Sequence, residues 1–235
     1  MMNGRRIEPE ILDELAAADP RAIQGRRDLR RLNWWMRHAS IVDERLGLSQ
    51  QAFVPRRILD LGGGDGWSSY QLVSRLPKTN ETREWVLVDR HPCVSRGVVG
   101  ALESAGWKVR IVEDDVFRWL ERAGEKERFD WCHMNLFLHH FRDSQITDLF
   151  AGLQACTRSI LACEPRRSRF ALMAAMGIRL IGCSALTRHD AEISVKAGFR
   201  ENEISRLWPT KLGWTVQERA AGWFSHFFWA RELNL

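Results

Sequence analysis

Residues 58–66 constrain this chain more than any other stretch: Ile58-Leu59-Asp60-Leu61-Gly62-Gly63-Gly64-Asp65-Gly66. Apolar residues framing a single acid read as a short buried strand. The glycines read as a tight turn, and the segment after them as a helix. Such a strand–turn–helix is a cofactor cradle. Glycine lets the backbone approach a ligand closely, and a helix start offers free N–H groups. The spacing is G-x-G-x-G (Gly62, Gly64, Gly66), with the third glycine one place earlier than in the dinucleotide fingerprint. Asp60 stands just before the turn, where a carboxylate repels a pyrophosphate. It suits a ligand with an amino group and no phosphates.

The chain around this cradle alternates strand and helix, which implies a parallel sheet covered on both faces. Strands are expected over residues 57–61, 85–89, 109–112, 129–134 and 159–163, with helices over 68–76, 94–105, 117–122 and 144–157. Residues 199–208 and 223–230 read as two last strands, an antiparallel pair closing one edge. Ahead of the core, residues 7–18 read as a short helix. A longer one begins at Asp19-Pro20, an N-cap followed by proline, and runs to about residue 46. Residues 47–55 read as a linker. The expected division is a helical cap over residues 1–55 and a core over 56–235, with a helical insertion at about 166–190. Within it, residues 168–183 read as an apolar helix. Thr187 and Asp190 are then expected to open another as a T-x-x-D capping box, and Gly198 to end it.

Bulk properties set limits. A chain of 235 residues with 45% hydrophobic content can bury a full core. The net charge of +5 comes from 35 basic and 30 acidic residues that are interspersed. This does not single out a nucleic-acid partner. Five scattered cysteines without a C-x-x-C argue against a disulfide framework or zinc site and for a reducing compartment. The first ten residues lack a signal-peptide apolar run, and no stretch reaches membrane-span length. The expected location is cytoplasmic. Eleven tryptophans against one tyrosine suggest an aromatic-lined cavity. The arginines at 26, 27, 30 and 31 read as a solvated helix face.

Further candidates lie at the ends of the strands. Asp89 ends the second, and its two carboxylate oxygens suit two ribose hydroxyls; its competing role is a helix N-cap. His139 and His140 follow the fourth strand, where one of them serves as general base for a hydroxyl acceptor or both form a packing pair. Arg166 or Arg167, after the fifth strand, is a candidate grip for an anionic acceptor, with a solvent-facing role as the alternative for each. His189 is a candidate at the substrate mouth. Trp34 and Trp35 are candidates for the lid face that meets the substrate. No set of residues reads as a metal site.

The glycine turn resembles motif I of the class I S-adenosylmethionine-dependent methyltransferases, and the likeness extends over residues 57–165. The segments N-L-F-L-H-H-F, A-C-E-P-R-R-S, T-R-H-D-A, L-W-P and F-S-H-F-F are similar to those of small bacterial methyltransferases near polyketide-type biosynthetic genes. The resemblance implies an α/β fold with a Rossmann-like, seven-stranded, mostly parallel sheet, helices on both faces and the N-terminal cap. It also implies S-adenosylmethionine as cofactor. Asp60, Gly62, Gly63, Gly64 and Gly66 would hold its methionine and ribose end, Asp89 and Arg90 the ribose. Asp115 and Val116 would hold the adenine, with Asp114 competing one residue earlier, and Asn135 would border the sulfonium. The expected activity is O-methylation of an aromatic or polyketide-like hydroxyl. The alternatives are RNA or protein methylation, or cofactor binding without catalysis. The expected partner is a small-molecule substrate, with a homodimer left open.

Overall fold

The computed structural model describes residues 4–16, 18–48, 54–79, 81–123, 126–209 and 213–233. Most of the linker expected at 47–55 lies outside them. Seven strands form one sheet in the order β3-β2-β1-β4-β5-β7-β6. They are β1 (Arg57–Leu61), β2 (Arg83–Asp89), β3 (Trp107–Glu113), β4 (Trp131–Asn135), β5 (Ser159–Pro165), β6 (Trp214–Ala221) and β7 (Ser225–Glu232). The first five are parallel, and β7 runs antiparallel between β5 and β6. Helices α1 (Ile11–Glu14), α2 (Pro20–Met36) and α3 (His38–Leu46) precede β1. Then come α4 (Trp67–Val73), α5 (Arg96–Ser104), α6 (Val116–Ala123), α7 (Asp143–Cys156), α8 (Arg169–Gly177) and α9 (Ala185–Ala197).

The side-chain period of two divides the core between the faces of the sheet. Leu59, Leu61, Val86, Val88 and Met134 pack with Trp119 and Leu120 of α6 and Leu149, Phe150 and Leu153 of α7. Ile58, Trp85, Leu87 and Trp131 pack on the other face with Leu72 and Val73 of α4, Leu102 of α5 and Val42 of α3. Strand order reverses between β1 and β4, so their carboxyl ends splay and leave the crevice where open α/β sheets bind ligands.

Four expectations are corrected. Residues 199–208 are not a strand: they form turns and a short 3-10 helix (Ser205–Leu207), and the edge hairpin is β6 with β7. The apolar residues of this segment, including Phe199, Ile204 and Trp208, instead pack under that face of the sheet. The long cap helix breaks at Arg37, which is left-handed (φ 54°), so α3 turns toward the sheet. The helix expected over residues 7–18 is a single turn, α1. Finally, Thr187 and Asp190 do not open a helix. Ser184 caps α9, accepting from Thr187 N at 3.2 Å, and both expected caps are buried within it. Asp190 instead accepts Ile11 N and Leu12 N, each at 3.0 Å, and so caps α1.

Cap and insertion are joined through Asp28, a fully buried residue of α2. Its carboxylate accepts Ser184 N (2.8 Å), Thr187 Oγ1 (2.9 Å), Gln24 Nε2 (2.9 Å) and the Arg31 guanidinium. Burial disfavours its charge, but these donors outweigh that and hold its pKa below the ordinary value. Asp28→Ala should therefore lower unfolding stability by about 2–4 kcal/mol, since it strands buried donors. Denaturant unfolding checks this. A loss within 0.5 kcal/mol, roughly the level of surface substitutions, would remove Asp28 from the joint.

Candidate active site

The carboxyl ends of β1, β2 and β4 open into one cavity of about 1000 Å³. The glycine turn forms its floor. Gly62 (φ 67°) lies against Phe137, and a Cβ there would stand 2.1 Å from the ring. Gly64 (φ 53°) lines the cavity, and a Cβ on it would meet nothing within 4 Å. Backbone is thus offered to open space, as a cofactor cradle requires. Gly63 also lines the cavity, whereas Gly66 starts α4 and does not. Beneath the turn, buried Asp60 accepts Ser69 Oγ at 2.5 Å and faces His133 Nδ1 at 3.4 Å.

Asp89 does not cap a helix; Ser95 caps α5. Instead it accepts Gly64 N at 2.9 Å on one oxygen and His91 N at 2.7 Å on the other, so it fixes the turn while lining the cavity. Each oxygen keeps a second lone pair for a ligand. At the end of β3 the acid on the cavity wall is Asp114 and not Asp115. Asp115 caps α6 through Phe117 N (3.0 Å) and pairs with Arg90, away from the cavity wall, while Asp114, Val116 and Arg90 line the cavity. The backbone enters α6 at this point, and a cap acid must turn back toward the helix N–H groups.

Asn135, at the end of β4, also lines the cavity and accepts from His38 Nδ1 at 2.6 Å. The other nitrogen of His38 meets Ser225 Oγ at 2.8 Å. Complete burial pushes the His38 pKa down to about 4, against the pull of Asn135, so the ring is neutral and locks Asn135 to α3. Sequence reading missed His38, because only the break at Arg37 turns it inward.

The turn after β4 is built on Glu164, also missed. Its buried carboxylate accepts Phe137 N (3.0 Å), Leu138 N (2.9 Å) and His139 Nδ1 (2.8 Å). His139 and His140 therefore stand side by side, ring centroids 4.1 Å apart, on the cavity wall. Glu10 reaches them from the N-terminal strap. Burial opposes its charge, but the two imidazoles outweigh that and hold Glu10 well below the usual carboxylate range. For His140, burial is likewise outweighed by Glu10 and Asp13, and its pKa rises to about 9. Arg5 fastens the strap, donating to Ala197 O (2.8 Å) and Phe141 O (2.9 Å) and pairing with Asp143 (2.7 Å).

Three acceptor-side expectations are corrected. His189 is exposed on α9 and outside the cavity, because Thr187 and Asp190 set which face of that helix is buried. Arg166 also lies outside it, with Nη1 donating to Gly222 O at 3.0 Å. Of the tryptophan pair, Trp35 lines the cavity, while Trp34 borders only a shallow depression beside it. Trp35 is also the sole tryptophan among the described residues lining the cavity; Trp85, Trp107, Trp119 and Trp131 are core. Arg26 and Arg30, expected on a solvated face, line the cavity, and Arg30 pairs with Asp65 at 2.5 Å. Among the described residues no helix is long and apolar enough to cross a membrane.

A glycine turn at the switch point of a mostly parallel seven-stranded sheet, with a single antiparallel strand beside β5, defines the class I methyltransferase fold. Residues 58–159 match a family model described as "Methyltransferase domain", and the chain is an S-adenosylmethionine-dependent methyltransferase. Similar folds include the plantazolicin methyltransferase BpumL in complex with SAH, with a TM-score of 0.65 at 13% identity, covering 92% of this chain and 91% of that one. The mitomycin 7-O-methyltransferase MmcR has a TM-score of 0.59 at 14% identity, covering 94% of this chain and 60% of that one. An O-methyltransferase family protein from Burkholderia thailandensis has a TM-score of 0.52 at 16% identity, covering 92% and 63%. No curated protein matches the sequence.

Proposed function

We propose that the enzyme methylates a hydroxyl of a small aromatic or polyketide-like acceptor. One observation carries this reading: the glycine turn and the His139–His140 turn open into the same cavity. S-adenosylmethionine supplies an electrophilic methyl group. Gly64, Asp60, Asp89 and Asp114 would hold it, and the Glu10–His139–His140 cluster would orient the acceptor oxygen and handle its proton. The cap (residues 1–55) and the insertion (about 166–190) shape the acceptor side, with Trp35, Met36, Ala174 and Ile178 supplying apolar wall. The 7-O activity in the name of the mitomycin enzyme supports oxygen as the methylated atom. The free cysteines among the described residues support a cytoplasmic setting.

The test is a panel of small phenols and polyketide-like alcohols, each paired with its O-blocked analogue, incubated with methyl-labelled S-adenosylmethionine. Label should reach free hydroxyls only, with little dependence on salt. At least one of His139→Ala and His140→Ala should lower turnover by roughly 10²-fold or more with cofactor affinity intact. Transfer to RNA that falls steeply with salt, or no transfer to any hydroxyl, would refute the reading.

A further inference from the structure

The strap sets Glu10 against two histidines about 130 positions further along the chain. Glu10 Oε1 lies 3.3 Å from His139 Nε2 and 3.7 Å from His140 Nε2, and the three donor atoms all lie within 4.8 Å of one another. The far nitrogen of each ring already has an acceptor. His139 Nδ1 meets Glu164 Oε2 at 2.8 Å, and His140 Nδ1 meets the Phe137 carbonyl at 3.1 Å. An acceptor on Nδ1 holds a proton there, so Nε2 is the atom of each ring that turns to Glu10. Glu10 faces both Nε2 atoms, and Asp13 Oδ2 stands 3.4 Å from that of His140, so a metal ion entering this cluster would displace the proton that His140 shares with the carboxylates.

The spacing says which kind. A proton shared between imidazole and carboxylate draws the heavy atoms to about 2.7–2.9 Å, and both separations are longer. Two ligands each about 2.0–2.1 Å from a tetrahedral zinc ion stand roughly 3.3–3.4 Å apart; Glu10 and His139 already stand so, and His140, at 3.7 Å from Glu10, would have to move closer. A carboxylate or carbonyl behind each histidine is also the arrangement that orients metal-binding imidazoles. Ser194 Oγ donates to Glu10 Oε1 and fixes the third arm.

We propose that Glu10 Oε1, His139 Nε2 and His140 Nε2 bind one divalent ion of the zinc class, leaving a coordination position open to the cavity for an oxygen ligand. Two imidazoles and one carboxylate suit zinc or a neighbouring transition metal over magnesium and calcium, which take oxygen sets. The inference rests on the acceptor-site reading and deepens it, because an acceptor hydroxyl would be the oxygen ligand.

The test uses the full chain stripped with chelator. Zn²⁺ alone is titrated by calorimetry, Co²⁺ alone is followed by visible absorption, and S-adenosylmethionine binding is measured on the same samples. The wild type should take one Zn²⁺ per chain and give a low-coordinate Co²⁺ spectrum. Glu10→Gln and, separately, His140→Ala should weaken Zn²⁺ binding at least tenfold, while His189→Ala, on the exposed face of α9, should not. Cofactor binding by Glu10→Gln shows that the variant is folded. No ion bound by the wild type, or wild-type affinity in both Glu10→Gln and His140→Ala, overturns the proposal. Intact cofactor binding in that event leaves the methyltransferase reading standing. Zinc uptake without cofactor binding fails that reading and leaves the metal site.

Discussion

Gly64→Val should abolish S-adenosylmethionine binding, with at least a hundredfold loss of affinity and a folded protein remaining. The space beyond Gly64 Cα is open and belongs to the cavity, so a valine there would project into the volume that the cofactor needs. Its φ of 53° adds backbone strain of roughly 1–2 kcal/mol for a β-branched residue. That cost lowers stability without forcing a packing clash, and the two effects separate in the measurement. Circular dichroism should retain the native signal, while calorimetric titration should show no cofactor heat. Wild-type affinity in this variant would move the donor site away from the turn.

Asp89→Ala should weaken cofactor binding by roughly 10²–10³-fold. Two causes combine. The carboxylate fixes the glycine turn through Gly64 N and the following bend through His91 N, and a charge-assisted hydrogen bond is worth about 1.5–3 kcal/mol. The same oxygens line the cavity and are the acceptors offered to a diol. Asp89→Asn discriminates between the causes. One amide oxygen can still accept Gly64 N, so the turn is partly kept while one acceptor becomes a donor. An intermediate loss in Asp89→Asn is expected. Unchanged affinity in Asp89→Ala would remove the residue from the ribose contact.

What could be read in advance divides by the range of the interaction. The span of β1, Arg57–Leu61, and the glycine turn after it are written in consecutive residues, and the structure has that strand with the same ends. The alternation of strands and helices as far as β5 is local in the same way. Residues 199–208 misled because Phe199, Ile204 and Trp208 are apolar without a helical or strand period to place them, and they pack around a 3-10 turn. Asp114 and Asp115 differ by one residue, and only the entry of the chain into α6 decides which acid caps and which faces the cavity. His189 and Arg166 turn outward because their neighbours, Thr187, Asp190 and Arg167, are the buried ones. Glu10 carried no local signal. It becomes a site residue through Arg5, which pins the strap, and Glu164, which presents the histidines.

The most direct test of the account is a crystal structure of the complex with S-adenosylhomocysteine. It should place the ribose hydroxyls within hydrogen-bond distance of the Asp89 carboxylate, the adenine beside Asp114 and Val116, and the sulfur facing Asn135 and the His139–His140 turn. Density for the ligand elsewhere, or a sulfur turned away from those histidines, would contradict it.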